Sequence, residues 1–163
     1  MEHLTLPVLD ADESSVVSHE VLEVERLQDG GVRLLHSPAF VRGIAAGDVI
    51  DVLPAELAGF RVRSRAGNVA IVVALQDVAD KSSDLVRRLV ANVISLGGVC
   101  EGGPGRALAF TIPVTAGFGQ IESAFSSLGA GGDGASWWYA NVLDRDDRPL
   151  GWWEARSSGP TDR

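Results

Sequence analysis

A chain of 163 residues, 45% hydrophobic and 22% charged, has enough apolar material for a buried core and too much to stay unfolded. Its net charge of −8 argues against nucleic acid or an anionic membrane surface as the partner. A single cysteine, Cys100, excludes an internal disulfide, and no apolar run is long enough for a membrane-spanning helix.

The N-terminal stretch has neither a basic n-region nor a continuous apolar h-region, so no signal peptide is read and the cytoplasm is the default compartment. Residues 1–29 carry eight acids (Glu2, Asp10, Asp12, Glu13, Glu20, Glu23, Glu25, Asp29) against one base, Arg26. That segment is therefore −7 and the remainder of the chain −1. Charge this concentrated suits a basic protein partner.

Residues 1–15 are read as lacking periodicity, and 1–17 are expected to form a flexible or loosely docked lead-in. Strands are expected at 19–27 and 32–36, joined by the turn Gln28-Asp29-Gly30-Gly31, then at 49–52, 60–64 and 69–75. The crowding of strands without a helix in residues 18–66 points to a small β-sheet or partial barrel. Leu85, Val86, Leu89, Val90, Val93 and Ile94 then fall on one face of a helix over 81–97. Asp80 or Ser82 is the expected cap, with a stop at Gly97-Gly98. Strands at 98–102 and 107–113, a helix at 118–128 and a strand at 136–143 complete the pattern. Residues 67–143 thus read β-α-β-β-α-β, the order of a ferredoxin-like plait, followed by a C-terminal hairpin extension and tail over 144–163. The fold class is α+β.

Four tryptophans and the single tyrosine fall in one C-terminal tract: Trp137, Trp138, Tyr139, Trp152 and Trp153. Alternation separates Trp138, Ala140 and Val142 from Trp137, Tyr139 and Asn141. Ala140 and Val142 suit a packed core, which places Trp138 under the helices and Trp137 and Tyr139 on the opposite sheet face. There they await cover by the N-terminal strands, by Trp152-Trp153 folding back, or by a partner. Intramolecular cover is the ordinary fate of such rings.

Reaction chemistry is harder to find. His3, His19 and His36 are scattered, and none lies at metal-ligand spacing from another histidine or from Cys100. Neither a nucleophile elbow nor a phosphate-binding loop is present; Gly117-Phe118-Gly119 reads as a plain turn. Asp144-Arg145-Asp146-Asp147 lacks the spacing of a calcium loop and reads as a charged hairpin turn. Arg61, Arg63 and Arg65 alternate on one strand face, as a solvated stripe, as a site for a phosphate-bearing ligand, or as a docking strip for the acidic N-terminal segment. No cofactor, metal or catalytic residue is expected.

The stretch from Val32 to Phe40, with Ser37-Pro38-Ala39-Phe40, continues into Gly43-Ile44-Ala45-Ala46-Gly47-Asp48-Val49-Ile50 and then Arg65-Ala66-Gly67-Asn68. Together these resemble a bacterial family of small domains of unknown function, over about residues 20–140. The resemblance implies no activity, and the Pro, Gly and Asp of the motif also have a backbone explanation. The reading that follows is a non-catalytic protein-binding domain, an immunity protein or antitoxin that occludes a toxin with a basic surface. Trp137, Tyr139, Trp152, Trp153, Asp144, Asp146 and Asp147 are its expected contacts, with Glu23 and Glu25 secondary. The alternative is a small-molecule sensor that uses Arg61, Arg63 and Arg65.

Overall fold

A computed structural model describes residues 1–57 and 59–154. Five strands, β1 (Glu2–Leu9), β2 (Val16–Arg26), β3 (Val32–Leu34), β4 (Val49–Val52) and β5 (Phe60–Ser64), pair antiparallel in chain order. They form an open meander, not a closed barrel. The segment expected to be a flexible lead-in is instead β1, paired with β2 over its whole length. Leu4, Leu6 and Val8 give it the period of a half-buried strand, and Leu6 and Val8 are buried. The inward face of the meander carries Leu6, Leu22, Val24, Leu34 and Ile50, closed over by Val41 and Ile44 from the segment between β3 and β4.

The second unit contains β6 (Asn68–Ala74), α1 (Asp84–Ser95), β7 (Val99–Gly102), β8 (Ala107–Pro113), α2 (Phe118–Phe125) and β9 (Ser136–Tyr139). Its sheet is antiparallel in the order β7-β8-β6-β9. Val69, Ile71 and Val73 of β6 and Leu108, Phe110 and Ile112 of β8 meet Val86, Leu89 and Val93 of α1 and Ile121 and Phe125 of α2. Each side chain this deeply buried contributes roughly 1.5–3 kcal/mol. The cap of α1 is Ser83, whose Oγ accepts from the Val86 amide at 3.3 Å, and not Asp80 or Ser82. A single 3-10 turn over Val78–Ser82, capped by Asp77, precedes it and shifts the start of the helix.

The opposite face of this sheet presents Ala70, Val72, Ala107 and Ala109, and the 35–48 segment lies on it. Ala45 packs on Ala70, Val72 and Ala140, while Ala39 packs on Ala107 and Ala109. The two sheets are thus joined through the most distinctive stretch of the sequence. No described helix is long and apolar enough to cross a membrane.

Candidate functional site

The junction is built around Asp48, which is wholly buried. One carboxylate oxygen accepts from the Ala45 amide at 3.0 Å and from Arg65 Nη1 at 3.2 Å, the other from the Ala66 amide at 2.9 Å. Burial pushes this carboxyl above the usual range, while the two amides and the guanidinium pull in the other direction. Gly47 has φ 85°, and a Cβ there would lie 2.6 Å from that of Ala66, so the turn admits only glycine. Arg65 also donates to the Gly43 carbonyl at 2.7 Å and stands 5.7 Å from the ring centroid of Trp152.

A second tie between the sheets was not visible in the sequence. His36 Nδ1 lies 2.9 Å from Glu101 of β7 and Nε2 lies 2.9 Å from Glu23 of β2. Thr111 of β8 donates to the other oxygen of Glu101 at 2.6 Å, and Ser37 Oγ lies 2.6 Å from Thr111 Oγ1. The Glu101 carboxylate beside His36 raises the imidazole pKa, opposed by partial burial and assisted by Glu23. The only hint in the sequence was the adjacent pair His36-Ser37; Glu101 is separated from it by 65 residues.

The aromatic tract folds onto its own molecule, and the parity assignment is reversed. Trp137 pairs with Val73 and Tyr139 with Ile71, so both lie on the helix face, while Trp138 pairs with Val72 on the opposite face. Both faces of β9 are covered, so alternation could not distinguish inside from outside. Asn141, buried, continues the pairing with its side chain: Oδ1 accepts from the Ala70 amide and Nδ2 donates to the Asn68 carbonyl, each at 2.8 Å. Phe110, Phe125, Trp137, Tyr139, Phe118, Trp153 and Trp152 then form a continuous ladder, with neighbouring centroids 5.1–5.9 Å apart. Trp152 and Trp153 lie in a turn, not on a strand, and Trp152 Nε1 donates to the Asn141 carbonyl at 2.8 Å. Tyr139 donates to Glu122 at 2.9 Å, and its phenol is raised by burial and then by that carboxylate. These four rings are therefore internal cover. Trp138 is the tryptophan left on the far face.

The arginine stripe is divided among internal partners. Arg61 and Arg63 pair with Asp51, Arg63 also with Asp29 at 2.8 Å, and Arg65 with Asp48. Much of the N-terminal acid is engaged as well: Glu2 with Arg26, Glu25 with Arg33 and Glu23 with His36. Glu20 accepts from the amides of Ala39, Phe40 and Val41 at 2.8–3.0 Å.

The carboxylates at two hairpin tips form no ion pair among the described residues: Asp10, Asp12 and Glu13 between β1 and β2, and Asp144, Asp146 and Asp147 near the C-terminus. The tips share one design. Asp10 accepts from the amides of Ser14 and Ser15, and Asp144 from those of Asp146 and Arg148. These amides hold both carboxyls below the usual range. Three residues on, Glu13 (φ 56°) and Asp147 (φ 59°) are the non-glycine residues with left-handed backbone among those described. Both line one cleft of about 440 Å³, together with Asp144, Trp138, Leu150 and Arg42. A smaller hollow of about 210 Å³ adjoins it across Glu13 and Arg42 and reaches Phe40, which is 46% exposed. Of the expected contacts, then, Tyr139, Asp144 and Asp147 line the cleft, and Asp146 lies in the same hairpin turn as Asp144. Glu23 and Glu25 lie elsewhere, in the pairs described above.

Comparisons with known proteins agree with the architecture. No curated protein matches the chain. A hypothetical protein from Neisseria gonorrhoeae, known from a crystal structure, superposes with a TM-score of 0.67 at 17% identity, covering 85% of this chain and 93% of that one. That likeness is one of fold. Residues 20–137, which run from within β2 to the first residues of β9 and include the whole Ser37–Asp48 junction, match a domain of unknown function, and the chain belongs to this family, DUF4265.

Proposed function

We propose that the chain is a non-catalytic protein-binding domain of the immunity-protein or antitoxin kind, which seats a basic segment of its partner in the cleft between the two hairpin tips. The observation that carries this reading is the convergence of Glu13, Asp144 and Asp147 on a cleft floored by Trp138. An aromatic anchor supplies burial, and carboxylates that form no ion pair among the described residues are available to a partner's lysine or arginine. Left-handed backbone at two charged residues of the same cleft fits this reading, because strain of this type gathers at functional sites. Arg42 and Arg145 line the cleft too, so its charge is mixed and the fit is selective. The order β7-β8-β6-β9, with both helices on one face, supports reading the second unit as a ferredoxin-like plait, which has no function of its own.

The test is co-expression with the product of the neighbouring gene in a bacterial host. The wild-type chain is expected to relieve growth arrest by that product. The double variant Glu13→Gln with Asp147→Asn keeps the fold and loses at least tenfold in affinity. A neighbouring product that is harmless, or that binds wild type and double variant equally, refutes the reading.

A further inference from the structure

The far face of the second sheet is covered by the 35–48 segment only in part. Beyond Ala39 and Ala45 there remains a hollow of about 350 Å³, floored by Val72, Ala74 and Ala107 and walled by Phe40 and Trp138. Its rim is the turn between β7 and β8, Pro104 to Arg106. Arg106 is the one charged residue of the lining. Its position is set by backbone: the Leu75 amide donates to the Arg106 carbonyl at 2.9 Å, and the Ala107 amide to the Pro104 carbonyl at 3.0 Å. Lys81 braces the same turn by donating to the Gly103 carbonyl at 2.6 Å. The guanidinium itself makes one long bond, 3.4 Å to the Gln76 carbonyl, and no ion pair among the described residues. Most of its five donors are thus open to a ligand.

The geometry points to a second binding site, for an apolar carboxylate: an aromatic or branched aliphatic group in the alanine-floored hollow, with its carboxylate on Arg106. A guanidinium pairs with a carboxylate through two parallel hydrogen bonds, and the apolar walls take the rest of the molecule. A neutral hydrocarbon leaves the cation unmatched. A sugar or nucleotide finds no side-chain hydrogen-bonding group on the floor. The chemistry is shared by a free carboxylic acid and by the C-terminal residue of a polypeptide.

Titration of the ¹⁵N-labelled full chain with 3-phenylpropionate and with Gly-Gly-Phe tests the assignment, each probe beside its carboxamide. Saturable shifts are expected at the Trp138 indole N–H and at the amides of Gly105, Arg106 and Ala107, with the carboxamide at least tenfold weaker. Arg106→Gln is expected to weaken the acid at least tenfold, and Ala74→Leu to remove binding by filling the hollow. Binding of the acid alone identifies a small molecule as the source, and binding of the tripeptide alone a polypeptide C-terminus. Equal affinity for acid and amide, shifts confined to other regions, unchanged affinity in Arg106→Gln, or no saturation by either probe overturns the site. Because Arg106 and Ala74 are outside the cleft at the hairpin tips, these results are independent of co-expression rescue.

Discussion

Asp48 ties the junction together with three hydrogen bonds. It is the common acceptor for two backbone amides and a guanidinium that come from both sides of the junction. Asp48→Ala removes the acceptor of the Ala45 and Ala66 amides at a buried position and leaves Arg65 only the Gly43 carbonyl of its two described acceptors. The expected loss is about 3 kcal/mol, within the range for breaking a buried charged network. A lowered urea midpoint at unchanged slope checks it, and a loss below about 1 kcal/mol means that the amides find other acceptors. Legibility at this scale was uneven. Gly43, Gly47 and Asp48 were readable as backbone devices because glycine and aspartate announce turns. The tryptophans were not, because parity assigns a side chain only when one face is wet. On β9 the alternation meets a core on each side, and Ala140, whose small apolar side chain suits the helix face equally well, belongs to the small-residue layer opposite.

Hairpin tips show how an element can trade stability for a surface. The turns after Asp10 and Asp144 each call for a left-handed residue three positions on, where glycine or asparagine sits without strain. Glutamate and aspartate occupy those positions instead. Glu13→Gly is therefore expected to raise stability by about 1 kcal/mol while removing a cleft carboxylate. Thermal melts together with partner-affinity measurements decide the matter: a rise in melting temperature accompanied by weaker binding supports a functional role, and a fall in melting temperature shows that the Glu13 side chain stabilises the turn. Helix and strand positions of the second unit were largely legible, since their apolar periods are strong. β1 was not. Its Leu4, Leu6 and Val8 alternation was present, but no glycine turn followed, and the reversal at Asp10–Ser15 relies on a carboxylate accepting from backbone amides.

At the scale of the whole molecule, two sheets that share no strand are held together by buried contacts and by one titratable clasp. Two acceptor carboxylates, Glu23 from β2 and Glu101 from β7, face the ring of His36, and both hydrogen bonds form when the imidazole is a cation with two N–H donors. The sign follows from linkage. With the folded pKa raised above the ordinary value of 6.5, the clasp contributes its full stability below that value and loses it as pH rises through the higher folded value. His36 is half exposed, so screening keeps the contribution under about 1 kcal/mol. Comparing melting temperatures of wild type and His36→Gln from about pH 6 to about pH 9 isolates it. The wild type is expected to be the more stable at the acidic end, and the difference should shrink through the folded pKa. Glu101→Gln should flatten the same difference by removing the negative charge of the more buried of the two carboxylates. Parallel curves across the range would mean that His36 is held by packing alone, and that the sheets are joined without help from its charge.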